Sequence, residues 1–584
     1  VNLYPTDEPI AGGVVTINER NFYSLPIELT LNAEERYWII LHPPKQTNDQ
    51  YNHQYVIHTQ KPTRLQQGVL RTFRDGHADW GTDQESFLFR VDDLIVVDEI
   101  KIIEDEGADF DAIVRFMQDF HPDVVTFLNE PSQLAGDVIT TSPPFGVGLH
   151  QDQIRYIEEE DYFDYWEYYD SVVYIEGEDY TSYSRLGPTF ASLINAPLVI
   201  GDDFRNSIDQ VKGKQIICLA DHIPRSVPCD ALLNIEEVQK KYKTITETKK
   251  FVLTTNTDIH QVNGLGTFFS KRNSVPIRDI YYPSSLLSPI VASMQQALIV
   301  TVNPNGQVDT QWKDWLKKHY PELFRRTQVK QYERDDYFLT VMATDEIPHR
   351  AEHVESPWYM AIDGYLLKRS LDNTLYGNLD RDLSPEMAVG RIQGLTHSDD
   401  SSLIARSWFI PHDINEMRFI GRSGALYTNL AKRLAKEFEE KGYASTSFVP
   451  DGYDYTLDPN QWKGQDLIYY IDHGATHYAG INSGELPDVK NTFIINKGCN
   501  TCRGDYSDVM CNWVTRNGGV GNLGAVGWSL SHDTFPEVFI RKVTNENLPI
   551  GVAVKESYNN FDRAWTLKGD PTIQLHPKNV EARQ

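Results

Sequence analysis

The chain is short of positive charge, of long apolar runs and of cysteine, and each shortage removes a class of function. Its 55 Lys and Arg stand against 83 Asp and Glu, a formal net charge of −28. Binding nucleic acid or an anionic bilayer requires a basic footprint on phosphate, so no nucleic-acid partner is expected. The acidic surface suits solubility, cations such as Ca²⁺ and basic substrates. No run approaches the roughly 20 apolar residues of a membrane helix, so no membrane span is expected. The five cysteines are Cys218, Cys229, Cys499, Cys502 and Cys511, and an odd count leaves at least one thiol unpaired. In an exported protein Cys218–Cys229 and Cys502–Cys511 are candidate pairs, which would leave Cys499 free. The N-terminal Val1-Asn2-Leu3-Tyr4-Pro5 has no Met, basic stretch or apolar stretch of a leader. It reads as the start of a processed chain, an expectation of extracellular or cell-surface placement.

At 584 residues the chain exceeds what one core supports, so several domains are expected. Residues 1–105 read as a β-rich N-terminal module, with strand-like runs at Arg36–His42, Ser86–Val91 and Leu94–Val97 separated by Asn-, Gln- and Asp-rich turns. From 106 the texture alternates between strand and helix. Asp123–Leu128, Ser171–Ile175, Ala196–Gly201, Gln215–Leu219, Phe251–Thr255 and Ala297–Val300 are strand-like, with a helix expected from Pro188. From 331 the style repeats, with strands at Tyr337–Met342 and Ala388–Ile392 and an amphipathic helix over Ala425–Lys441. The fold class expected is therefore α/β, with two adjacent doubly wound, mostly parallel sheets: 106–330 a non-catalytic subdomain and 331–584 a catalytic one.

Two segments near the C-terminus carry the chemistry. Leu467-Ile468-Tyr469-Tyr470-Ile471 leads to Asp472-His473-Gly474, and Phe493-Ile494-Ile495-Asn496 leads to Lys497-Gly498-Cys499-Asn500. Each is a strand-length apolar run ending in a turn. Ligands of open α/β folds bind at the C-terminal edge of parallel strands, so a His and a Cys delivered there suit a base and its nucleophile. A helix beginning just after Cys499 would favour the thiolate, and the backbone N–H groups of Gly474 and Cys499 suit an oxyanion hole. Two bland readings compete: a Cys after an apolar strand is commonly a small buried hydrophobe, and Cys499-Asn500-Thr501-Cys502 could be a redox pair or half a zinc site. No second CxxC supports zinc, and Arg503 stands where haem attachment needs His.

In order and spacing these elements resemble the gingipain family of cysteine peptidases, related in fold to caspases and legumains. The resemblance rests on His473-Gly474, on Gly498-Cys499-Asn500-Thr501, and on Asn517-Gly518-Gly519 before a Gly524–Trp528 strand. It also rests on Leu567-Lys568-Gly569-Asp570-Pro571-Thr572, and on Tyr376–Asp382 followed by Ala388-Val389-Gly390-Arg391-Ile392. It spans about residues 170–577. It implies a caspase-like catalytic unit with Cys499 as nucleophile, His473 as general base and acid, and the Gly474 N–H in the oxyanion hole. Asp382 would sit at the floor of the S1 pocket, implying cleavage after Arg or Lys, and Trp528 would line the substrate site. Asp380 and Asp382 equally suit a turn or Ca²⁺. Cys502, within Thr501-Cys502-Arg503-Gly504-Asp505, is the alternative nucleophile and His477 the alternative base. The function expected is a secreted or surface cysteine endopeptidase acting on a protein or peptide. It needs no cofactor for its chemistry, and Ca²⁺ and oligomeric assembly are both left open. The competing class is a structural or adhesive surface protein on the same fold without turnover, against which the presence of both His473 and Cys499 argues.

Overall fold

The computed structural model describes residues within 35–577; 1–34, 256–283, 343–386, 578–584 and shorter stretches between lie outside the described residues. The chain divides into two compact units. One comprises 1–248, 256–301 and 396–401, the other 249–255, 302–395 and 402–584.

In the first unit, strands Glu35–Trp38, Val97–Ile102, Val124–Phe127 and Ile154–Tyr156 pair in parallel, with Ile57–Thr59 antiparallel at an edge. Strands on both sides of residue 105 therefore share one sheet. A second, all-parallel sheet runs in the order Ala231–Leu233, Gln215–Leu219, Ser171–Ile175, Leu198–Ile200. Helix Ser182–Leu193 packs on it and begins six residues before Pro188, which lies inside the helix rather than opening it. Cys218 and Cys229 are joined, tying the end of one strand to the loop that follows it.

In the second unit we label the strands β1 (Lys250–Thr255), β2 (Tyr337–Val341), β3 (Met387–Arg391), β4 (Glu416–Gly421), β5 (Ala444–Phe448), β6 (Leu467–Ile471), β7 (Phe493–Asn496), β8 (Gly521–Ala525) and β9 (Trp565–Lys568). Five helices of this unit are labelled α1 (Val308–His319), α2 (Ala425–Glu440), α3 (Met510–Arg516), α4 (Phe535–Glu546) and α5 (Ile550–Ser557); a further helix, His397–Phe409, belongs to it from Ser402 onward. The strand order within this unit is β1-β2-β3-β9-β8-β7-β6-β4-β5. All neighbours are parallel except β8 and β9. One antiparallel seam thus joins two parallel blocks that run in opposite senses.

Interior strands of a parallel sheet are covered on both faces and read as unbroken apolar runs. Every residue of β6 and of β7 is buried. Side chains alternate between faces. Leu467, Tyr469, Ile471, Phe493 and Ile495 join one core with Phe535, Phe539 and Ile540 of α4. Ile468, Tyr470 and Ile494 join another with Trp462, Met510 and Val514. Helix α2 lays Ala431, Leu434, Ala435 and Phe438 on the sheet at helical spacing. Its Glu437 meets Arg541 of α4 in a two-pronged pair, both bonds 2.9 Å, with Lys441 at 3.1 Å.

Candidate active site

Because β4, β6, β7 and β8 are parallel, the segments leaving their C-terminal ends gather at one edge of the sheet. Tyr470 of β6 stands opposite Asn496 of β7, and the Lys497 N–H donates to the Tyr470 carbonyl at 2.8 Å. His473 thus lies two residues beyond one strand, and Cys499 three beyond its neighbour. The two turns touch: a Cβ placed on Gly498 would lie 3.2 Å from the Gly474 Cα and 3.0 Å from the Thr501 Cγ2. Glycine at 498 is what allows the Cys499 turn to close against Gly474.

The Cys499 turn is fastened on three sides. Asn500, in the left-handed region at φ 58°, donates its N–H to the Gly527 carbonyl at 2.8 Å, and Cys502 N–H donates to Ala525 at 2.9 Å. Both acceptors continue from β8. The Thr501 hydroxyl donates to the Gly498 carbonyl at 3.1 Å. Cys502 and Cys511 form a disulfide, which bolts the turn to the start of α3. The sulfurs sit over Gly524, where a Cβ would come within 2.3 Å of the Cys502 Sγ. Cys499 is the one free cysteine, half-buried, and its Sγ lies 3.7 Å from the Ser529 carbonyl oxygen.

His473 is exposed and follows the buried Asp472. Asp472 Oδ1 accepts from the His473 backbone N–H at 2.6 Å, and the His473 carbonyl accepts from the Tyr470 hydroxyl at 2.8 Å. Its ring meets Tyr427 of α2 edge-to-face, with centroids 5.5 Å apart and planes at 78°. Burial pushes the Tyr427 phenol above its ordinary range, and the negative charges of Asp472 and of a Cys499 thiolate push it further. The phenol therefore stays neutral at ordinary pH.

Behind the turn lies a buried ionic group. Lys497, two residues before Cys499, points its Nζ to Glu537 Oε1 of α4 at 3.3 Å, with side chains 2% and 5% exposed. The same oxygen accepts from the Tyr469 hydroxyl at 3.0 Å. One carboxylate therefore holds both the strand carrying the cysteine and the strand carrying the histidine. On the other side, Asn496 donates to the side-chain oxygen of Asn522, binding β7 to β8.

Several sequence expectations can now be located. Cys499, His473 and Gly474 are brought to one edge. Asp382, Trp528, His477 and the Tyr376–Asp382 segment lie outside the described residues. The helix expected just after Cys499 is corrected: α3 starts at Met510, and Cys499 sits in a tight turn stabilised by β8 instead. Cys502 is the disulfide partner of Cys511, so neither the alternative nucleophile nor a Cys499–Cys502 pair fits the structure. Tyr427, Lys497 and Glu537 went unnoticed in the sequence, since their partners lie 40 or more positions away and follow no periodic pattern. Among the described residues no cluster of three or more His, Cys, Asp or Glu side chains is placed to hold a metal ion. No described helix is long and apolar enough to cross a membrane.

No protein-family model and no curated protein matches the sequence. Among solved structures, one titled "Structure of Protease" matches at 13% identity and a TM-score of 0.35, covering 57% of this chain and 79% of that one. The separase–securin complex of Saccharomyces cerevisiae matches at 14% identity and 0.27, covering 57% of this chain and 23% of that one. Cwp6 from Clostridium difficile matches at 10% and 0.23, covering 80% and 71%. At these identities and TM-scores the likenesses assign no function to this chain. The functional reading rests on its own residues.

Proposed function

We propose that this chain is a cysteine endopeptidase of the gingipain-like, caspase-related kind, acting through Cys499 and His473. The observation that carries this reading is the placement of a free, half-exposed thiol and an exposed imidazole on contacting turns at the C-terminal ends of adjacent parallel strands. The other four cysteines are paired and buried or partly buried, so the chain leaves reactive sulfur at this one position.

The chemistry follows from the residue types. His473 takes the Cys499 proton, and the thiolate attacks the scissile carbonyl carbon. The negative charge on the carbonyl oxygen is met by backbone N–H groups at Gly474 and Cys499. The C–N bond then breaks, with His473 returning the proton to the departing amine and leaving a thioester on Cys499. Water, deprotonated by His473, hydrolyses the thioester and restores the thiol. No metal or cofactor is needed for these steps. Cleavage after Arg or Lys, with Asp382 as the S1 carboxylate and Trp528 lining the site, and action outside the cell belong to the same proposal.

The test is hydrolysis of a fluorogenic peptide library that varies the residue before the scissile bond. We expect activity that falls about 10³-fold or more in both Cys499→Ala and His473→Ala, and an Arg/Lys preference that is lost in Asp382→Asn. Undiminished hydrolysis by Cys499→Ala would remove the nucleophile assignment. An inert parent whose Cys499 alkylates no faster than an ordinary thiol would instead support a surface protein without turnover.

A further inference from the structure

A cysteine–histidine pair works only if the imidazole plane is held so that one nitrogen faces the sulfur, and a third group commonly does this by hydrogen bonding to the far nitrogen. In this protein Asp472, adjacent in sequence and buried, is the obvious candidate. Its Oδ1 instead accepts from the His473 backbone N–H at 2.6 Å. Among the described residues the His473 ring takes part in no hydrogen bond and no ion pair, and its ring contact is with Tyr427.

Resting on the reading of Cys499 and His473 as a catalytic pair, we propose that the aromatic ring of Tyr427 is the positioning residue of His473, doing by edge-to-face packing what a carboxylate does elsewhere. The geometry suits the task. At a centroid separation of 5.5 Å and an interplanar angle of 78°, the pair is in the preferred T-shaped arrangement, which favours one ring orientation over others. Tyr427 is itself anchored. It stands in the first turn of α2, whose Ala431, Leu434 and Phe438 are buried on the sheet, and its own ring packs against that core. Its phenol also feels the charges of Asp472 and Cys499, so it lies within electrostatic range of both.

The arrangement separates the ring from the hydroxyl. Tyr427→Phe keeps the edge-to-face contact and should preserve function. Tyr427→Leu and Tyr427→Met keep bulk against the core but remove the aromatic ring. The experiment needs no substrate: the rate of iodoacetamide alkylation of the full chain is followed by mass between about pH 5 and 9, across the ordinary histidine and cysteine ranges. Reductant is omitted so that both disulfides persist, and far-UV circular dichroism confirms the fold of each variant.

We expect the parent to alkylate at Cys499 well below the pH at which an ordinary thiol reacts. His473→Ala should move the profile up toward that of a free thiol. Tyr427→Leu and Tyr427→Met should move it the same way and slow the reaction at about pH 6 by about tenfold, with Tyr427→Phe overlaying the parent. A parent-like profile in either folded non-aromatic variant would overturn the proposal, as would a Phe variant as impaired as Leu. A parent profile already like that of a free thiol and unmoved by His473→Ala would instead remove the pairing of Cys499 with His473. The two failures are thereby distinguishable.

Discussion

Cutting the buried ion pair behind the cysteine turn should weaken the second unit severely, and cutting both halves together should weaken it far less. Lys497 and Glu537 are 2% and 5% exposed with Nζ and Oε1 3.3 Å apart. At an effective dielectric near 20, unit charges at that separation attract by about 5 kcal/mol, a gain offset by the cost of taking both from water. Glu537→Ala leaves an ammonium sealed in the core and also strips the Tyr469 hydroxyl of its acceptor. The expected loss is about 3–5 kcal/mol. Lys497→Met leaves a buried carboxylate and should cost a similar amount. The double variant Lys497→Met/Glu537→Leu removes both charges and retains apolar bulk, so it should recover most of the loss. That leaves a coupling of at least about 2 kcal/mol between the sites. Urea unfolding followed by tryptophan fluorescence reads this, because Trp462 and Trp565 of this unit are fully buried. Single variants each losing less than about 1 kcal/mol, or a double variant losing the sum of the two, would refute the reasoning.

Three further predictions concern the frame around the site. Arg541, with help from Lys441, holds the Glu437 carboxyl down to about 2 from the ordinary 4.5. A folded-state value below the unfolded one gives stability that is present in full above about 4.5 and lost as pH falls toward 2. The pair is partly exposed (28% and 37%), so Glu437→Gln should cost at most about 1 kcal/mol at neutral pH. Its urea midpoint should merge with that of the parent as the pH approaches 2; a gap that widens on acidification would contradict the assignment. Gly524→Ala would drive a Cβ to 2.3 Å from the Cys502 Sγ and 3.0 Å from the Cys511 Sγ, an overpacking cost of about 1–3 kcal/mol. Thiol titration of the denatured, unreduced parent should find a single thiol, at Cys499; five would mean that neither pair forms.

Much of the site's framework was legible because parallel strands advertise themselves. A strand covered on both faces must be apolar along its whole length, so Leu467–Ile471 and Phe493–Asn496 stand out from the chain and end where expected. The same physics marked Ser171–Ile175 and Gln215–Leu219. It failed at β8, expected over Gly524–Trp528 and found at Gly521–Ala525. Glycines have low strand propensity, and those at 521 and 524 are present because a side chain there would strike Phe493 or the disulfide. The helix expected at Cys499 failed for a related reason. Nothing in the sequence announced that β8 would supply carbonyls to satisfy the turn, so a following helix was the default partner.

The sequence by itself determined the α/β alternation, the two strands that carry a histidine and a cysteine to one sheet edge, and the odd cysteine count that leaves a thiol unpaired. These follow from periodicity, from burial on two faces and from arithmetic, all of which act along the chain. Which thiol stays free, that Glu537 grips both Lys497 and Tyr469, and that Tyr427 stands against His473 were decided only by tertiary structure. Each joins residues that strand order and helix packing bring together, and contacts between distant elements leave no local pattern to read.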